Sequence, residues 1–276
     1  MPQKIKLKIG KAYKILFIIL TPLAIISLVV SISVFKYLNN RSEEIQNIAD
    51  ININNLDMDV DFYHYYSIGY RTIIGVDLSE HNNDVDFTKL KEQGIEFAFL
   101  RLGWRGYFDP ILHLDKRFEE YYQKAKDAGI KVGVYFFSQA INESEAIEEA
   151  QFVINTLQDK SIDTYVAYDC ETISDDIART DELTKKQATL DAKAFLDTIS
   201  NAGYSPILYT NYDWIKNKYE LEILLEYPIW YAQYSKKPQY KGKYIIWQYA
   251  TEMKIEGITN DDGVDLNLAI IKEDIS

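Results

Sequence analysis

Thr164-Tyr165-Val166-Ala167-Tyr168-Asp169-Cys170-Glu171 is a short apolar run that ends on two carboxylates one residue apart. Its β-branched and aromatic residues read as a strand. On a strand, side chains at i and i+2 share a face. Asp169 and Glu171 are therefore expected to point one way and Cys170 the other. Two rises of about 3.3 Å put the two acidic Cα atoms roughly 6–7 Å apart, where like charges interact and one pKa is pushed up.

Outward from that run the same unit recurs. Strand-like runs fall at Thr72–Ser79, Ile95–Gly103, Ile130–Ser138, Thr164–Glu171 and Ser205–Asn211. Helix-like segments lie between them at Phe87–Gln93, Leu114–Ala128, Glu143–Leu157 and Thr184–Ala202. Three of these helices stop at Gly94, Gly129 and Gly203, immediately before the next strand. Glycine there supplies the left-handed residue that ends a helix without Cβ strain. Strands alternating with helices imply parallel βαβ units. After Glu226 the rhythm changes, because Pro228–Tyr234, Lys243–Ala250 and Val264–Ile270 leave room only for turns. Eight strands, the last three without helices, predict an α/β fold: an irregular TIM-like barrel spanning residues 71–276. An open doubly wound sheet is the alternative, but no Rossmann glycine fingerprint supports a dinucleotide site.

The N-terminal part reads differently. Residues 1–14 carry five lysines and no acid, a basic tail expected in the cytoplasm. Ile15–Phe35 follows with 21 uncharged residues, long enough to cross a bilayer. From Ser42 to Tyr70 there are six acids and no Lys or Arg. The positive-inside rule then places the barrel on the cell-wall side of a single-pass signal-anchor. Cleavage of a signal peptide near Ser31-Ile32-Ser33, with secretion, is the competing reading. Residues 36–70 show no sustained period and read as an acidic stalk. Asp57-Met58-Asp59-Val60-Asp61 resembles the start of an EF-hand loop, but Phe62 and Ile68 stand where its glycine and final glutamate belong.

Composition narrows the function. A formal charge of −12 argues against a nucleic-acid partner. One cysteine excludes an intramolecular disulfide. The three histidines show no ligand spacing, so no metal or other cofactor is expected. The 22 Tyr and 4 Trp include more flat amphipathic rings than a core needs, of the kind on which sugars stack.

Parallel barrels place chemistry at the C-terminal ends of their strands. Those ends carry Asp77 and Ser79, Arg101, Tyr135, Asp169 and Glu171, then Tyr209 and Asn211. The last three strands add Trp230, Tyr231 and Gln233, then Trp247, Gln248 and Tyr249, then Asp265 and Asn267. Singly, Asp77 or Asp265 reads as a cap or turn residue. Four acids converging on one mouth read as a site, because burying them without partners is costly. Two carboxyl groups whose environments separate their pKa values are the equipment for glycosidic bond cleavage. Their backbone spacing leaves inverting, retaining and substrate-assisted courses open.

Six motifs in order carry a family resemblance: Gly75-Val76-Asp77-Leu78-Ser79, Gly133-Val134-Tyr135-Phe136-Phe137, Tyr168-Asp169-Cys170-Glu171, Tyr204-Ser205-Pro206-Ile207-Leu208-Tyr209, Trp247-Gln248-Tyr249 and Val264-Asp265-Leu266-Asn267. Together they resemble glycoside hydrolase family 25, the Chalaropsis-type lysozymes, over about Ile73–Ile271. The resemblance implies a (β/α)5β3 barrel that acts as a monomer on peptidoglycan, cutting between N-acetylmuramic acid and N-acetylglucosamine. It implies that Glu171 is the proton donor and that Asp169 orients the substrate or stabilises positive charge. Asp77 and Asp265 would support them, with Arg101, Tyr135, Tyr209, Trp230, Gln233 and Trp247 contacting sugar. Arg101 departs from the lysine common there, and Cys170 is unusual between the acids. Rival readings are a chitinase-like glycosidase, a non-catalytic peptidoglycan-binding barrel and a cysteine peptidase built on Cys170. The first would want more acids before Asp169, and the last would want a histidine at a strand end.

Overall fold

The computed structural model describes residues 44–59, 62–173, 177–260 and 263–273. Eight strands form a closed ring: β1 (Tyr70–Leu78), β2 (Ile95–Arg105), β3 (Lys131–Phe137), β4 (Val166–Asp169), β5 (Pro206–Asn211), β6 (Ile229–Ala232), β7 (Ile246–Met253) and β8 (Val264–Lys272). Neighbours from β1 to β7 pair in parallel. β8 runs antiparallel between β7 and β1 and closes the barrel, pairing Gln248 with Asn267 and Asp265 with Asp77.

Four helices fill the first crossovers: α1 (Phe87–Glu92), α2 (Phe118–Asp127), α3 (Glu143–Leu157) and α4 (Lys185–Asn201). Asp86, Asn142 and Thr184 cap α1, α3 and α4 by accepting hydrogen bonds from first-turn N–H groups. Gly94, Gly129 and Gly203 all take positive φ at the helix stops, as the sequence predicts. α2 begins four residues later than expected. β2 runs past the mouth and folds back through Leu112–Leu114, so those residues pair as strand. The fifth crossover holds a π-helical turn (Trp214–Lys218) and a 3-10 turn (Leu221–Ile223) instead of an α-helix.

The barrel interior is filled by Ile73, Phe97, Phe99, Ala167, Ile207, Trp230 and their neighbours, separate from the larger core between sheet and helices. Gly75 and Gly133 make this filling possible. A Cβ on Gly75 would lie 2.3 Å from the Phe97 ring, and one on Gly133 would lie 2.7 Å from the Phe99 ring. Phe99 stacks on Trp230 with centroids 4.3 Å apart, flooring the open end.

The segment expected to be a stalk departs from that reading where it is described. The compact unit begins at Ile45, not at residue 71. Gln46 N–H donates to the Ile270 carbonyl (2.7 Å) and Ile48 N–H to the Tyr244 carbonyl (2.8 Å). A hairpin, Leu56–Asp59 with Phe62–Tyr65, then sets Tyr63 against Trp247 and Tyr249 at 5.5 and 5.0 Å. Ile48, Tyr63 and Tyr65 are buried. The hairpin thus covers the outer face of β7, on the side of the barrel where helices are missing. Its aromatic residues show no period because their burial comes from the barrel they cover. The predicted membrane span, Ile15–Phe35, and the basic tail lie outside the described residues. Among the described residues, no helix is long and apolar enough to cross a membrane.

Candidate active site

At the C-terminal ends of the parallel strands a pocket of about 260 Å³ is lined by Asp77, Arg101, Tyr135, Asp169, Glu171, Tyr209, Trp230 and Asp265. These are eight of the ten residues that the sequence nominates. The period-2 pattern of each strand brings them together: inward positions below are apolar, and the last inward position of the run is polar. β4 ends at Asp169, and Glu171 follows just beyond the ladder. Asp169 is buried, whereas Glu171 is partly exposed to the pocket. Between them Cys170 is 2 % exposed and packs into the outer core with Tyr168. Burial pushes its thiol well above the ordinary range, so the cysteine is neutral and faces away from the mouth.

The Asp169 and Glu171 carboxyl groups hydrogen-bond to each other, which requires a proton between them. Burial raises Asp169 first, and the charges of Glu171 and Asp77 raise it further. Burial also lifts Glu171 to about 7, helped by the charge of Asp265, while the hydrogen bond to Asp169 works in the opposite direction. Solvent exclusion is thus the main cause of the rise at Glu171, and the added charge is that of Asp265 across the mouth rather than that of neighbouring Asp169.

The other two acids sit in an amide network. Asn267 Nδ2 donates to Asp77 Oδ2 (2.7 Å), and Gln248 Nε2 donates to the same oxygen (2.9 Å) and to Asp265 Oδ2 (3.3 Å). Trp230 Nε1 donates to Asn267 Oδ1 (2.7 Å), fixing which end of that amide faces Asp77. Gln248 Oε1 accepts from Tyr209 (2.8 Å) and Tyr234 (3.0 Å). Burial and Asp265 hold Asp77 up at about 8 despite its two amide donors. Asp265 is raised by burial. Arg101 donates through Nε to the buried Asp115 (2.8 Å) and approaches Glu80 (3.5 Å), so the guanidinium lining the pocket is held by two acids.

Gln233 and Trp247 do not line the pocket, contrary to expectation. Gln248 points inward opposite Asn267, so its strand neighbour Trp247 points outward and is fully buried. Trp247 Nε1 donates to the Gln233 carbonyl (2.9 Å), and Gln233 Oε1 accepts from Tyr231 OH (2.8 Å) and Gln239 N–H (2.7 Å). Both residues brace the β6–β7 loop. In their place stand Gln248, Ser79, His81, Phe137 and Tyr234. The sequence names Gln248 and Ser79 at strand ends, but which of Trp247 and Gln248 faces inward depends on how β7 is registered against β8. No sequence signal marks Tyr234, which the loop delivers. Among the described residues, no group of three or more His, Cys, Asp or Glu could hold a metal ion.

Comparison with known proteins agrees with this geometry. The autolytic lysozyme of Clostridium acetobutylicum is 26 % identical over 193 residues, 69 % of this chain and 54 % of that protein. The chain therefore spans about half the length of that relative. Among solved structures, the modular autolysin LytC from Streptococcus pneumoniae has a TM-score of 0.64 at 20 % identity, covering 80 % of this chain and 53 % of that one. A family 25 glycosyl hydrolase from Bacillus anthracis has a TM-score of 0.59 at 20 % identity, covering 76 % and 94 %. At such identities the solved structures attest to the fold. The model of glycosyl hydrolases family 25 matches residues 76–258. That span runs from β1 through every strand but β8 and contains the hydrogen-bonded acid pair, so the chain belongs to glycosyl hydrolases family 25.

Proposed function

We propose that this chain is a peptidoglycan hydrolase, an N-acetylmuramidase that cleaves the β-1,4 bond from N-acetylmuramic acid to N-acetylglucosamine. The observation that carries the reading is the hydrogen-bonded Asp169–Glu171 pair at the open end of the barrel, with Glu171 lifted to about 7. A carboxyl group in that range holds its proton at mildly acidic pH and can give it up in a transition state. In this mechanism Glu171 protonates the glycosidic oxygen as the bond to the anomeric carbon breaks, and the bonding electron pair leaves with that oxygen. Among the described residues, Asp169 Oδ1 is buried without a hydrogen-bond partner. Such an acceptor suits the N–H of a 2-acetamido group. Asp77, kept neutral by burial, and Asp265 shape the field on the opposite side of the mouth. Tyr135 and Tyr209 present ring surface to the sugar, over a floor formed by Trp230.

The similarity to an autolytic lysozyme favours peptidoglycan over chitin as substrate. The test is mass spectrometry of peptidoglycan digested by the protein. Muramic acid at the new reducing ends is the expected result; glucosamine there would make the enzyme a glucosaminidase. The basic, apolar and acidic order of residues 1–70 supports display of the barrel outside the cell membrane on an uncleaved anchor. A mature protein free in the medium, with its N-terminus near Val34, would replace the anchor with a cleaved signal.

A further inference from the structure

The β6–β7 loop has two sides. Tyr234 turns into the acid pocket, where its hydroxyl meets Gln248. Lys236 and Lys237, two and three residues on, line a second cleft of about 590 Å³ with Leu56, Met58, Tyr63 and Tyr249. One wall of this cleft is the N-terminal hairpin, which lies outside the 76–258 span of the family match. The cleft is built rather than incidental. Tyr63 meets Tyr249 edge to face, its hydroxyl donates to the Lys236 carbonyl (3.4 Å), and Ser235 Oγ donates to the Lys237 carbonyl (2.9 Å).

Its chemistry is cationic and apolar. Among the described residues, neither Lys236 nor Lys237 forms an ion pair; Lys237 Nζ reaches only the Asn54 side-chain oxygen (3.0 Å). Among the described residues Asp57 is the acid on the wall, and its Oδ1 accepts from the N–H of Met58 (3.0 Å). A pair of adjacent lysines stands out in a protein of formal charge −12. Such a surface suits a ligand with carboxylates and small apolar groups.

We infer that this cleft binds the stem peptide of the glycan strand being cut, an inference that rests on the muramidase reading. The stem peptide hangs from the lactyl group of muramic acid and offers free carboxylates between alanine methyl groups. Successive Cα atoms are about 3.8 Å apart, so Lys236 lies no more than about 8 Å along the chain from Tyr234. A peptide of four or five residues, at about 3.3 Å per residue, spans that distance from a sugar in the acid pocket. The lysines then hold its carboxylates while the alanines lie along Met58 and Tyr63. The hairpin thereby makes the enzyme favour peptide-bearing glycan over bare strands.

The test compares the full-length chain on intact peptidoglycan strands and on the same strands stripped of peptide by an amidase. The wild type should show a KM about tenfold lower on the peptide-bearing strands, the scale of one charge-assisted hydrogen bond at an exposed site. The pair Lys236→Gln/Lys237→Gln should lose that advantage and match the wild type on stripped strands. Lys236→Arg/Lys237→Arg should keep it. A wild type that digests both substrates with the same KM overturns the cleft assignment and leaves the muramidase reading standing, as does a Gln pair that weakens both equally. A wild type that digests neither removes both readings.

Discussion

Gln248 Nε2 donates to Asp77 Oδ2 at 2.9 Å, a bond from β7 to β1 that spans the antiparallel strand closing the barrel. The same side chain also donates to Asp265 and accepts from Tyr209 and Tyr234. One buried amide thus ties together two acids and two tyrosines from four elements of the mouth.

Replacing that amide should be costly without touching the proton donor. In Gln248→Ala, a buried Asp77 loses one of its two amide donors and both tyrosines lose an acceptor. Each unsatisfied buried group costs about 1–3 kcal/mol. The expected result is a fall in kcat/KM of roughly 10²-fold with a lowered Tm. Unchanged kinetics would show that the network is structural only.

The acid pair separates the hypotheses directly. Glu171→Gln keeps the shape but removes the transferable proton, and should cost about 10²–10⁴-fold in kcat while glycan binding persists. Asp169→Asn should be similarly severe. Cys170→Ala alters a side chain in the outer core, so activity should stay within about twofold, with a stability loss of about 1 kcal/mol. A dead Cys170→Ala, or a Glu171→Gln that turns over like the wild type, would remove the assignment of this strand.

Both activity and stability should decline on the alkaline side. Glu171, lifted to about 7, is proton-bearing below that value and loses the acid form as pH rises through it, so kcat should fall above about pH 7. For stability, groups with raised folded pKa values stabilise the fold below their unfolded values, and that contribution is lost as pH rises through the folded ones. Asp77 at about 8 and Glu149 and Asp191 at about 7 act in the same direction. Thermal unfolding should therefore show a Tm at least about 5 °C lower at pH 9 than at pH 5, and Asp77→Asn should flatten part of that slope. A Tm that rises with pH would contradict it.

Removal of the N-terminal hairpin should uncover the barrel. Ile48, Tyr63 and Tyr65 are each worth about 1.5–3 kcal/mol of burial, together comparable with the ~5–15 kcal/mol margin of a typical domain. A chain of residues 45–276 should give native near-UV circular dichroism, and one of residues 71–276 should be molten or insoluble. Equal Tm values for the two would return the segment to the role of a stalk.

The sequence by itself determined the order of the eight barrel strands and of the four helices between the first five, because helix stops at Gly94, Gly129 and Gly203 and runs of buried strand are local signals. It also determined the acids of the mouth, since strand ends in a parallel barrel share one side and Asp169, Glu171, Asp77 and Asp265 all fall there. Only the tertiary structure decided that Gln248 faces the acids and Trp247 the outside, because facing depends on how β7 is registered against β8. Only the folded chain sets Glu171 near 7, through exclusion of water and the approach of Asp265 from a distant strand. The docked hairpin likewise has no local signature: its tyrosines are buried by the bare face of the barrel, a surface that exists only once the last three strands have closed it.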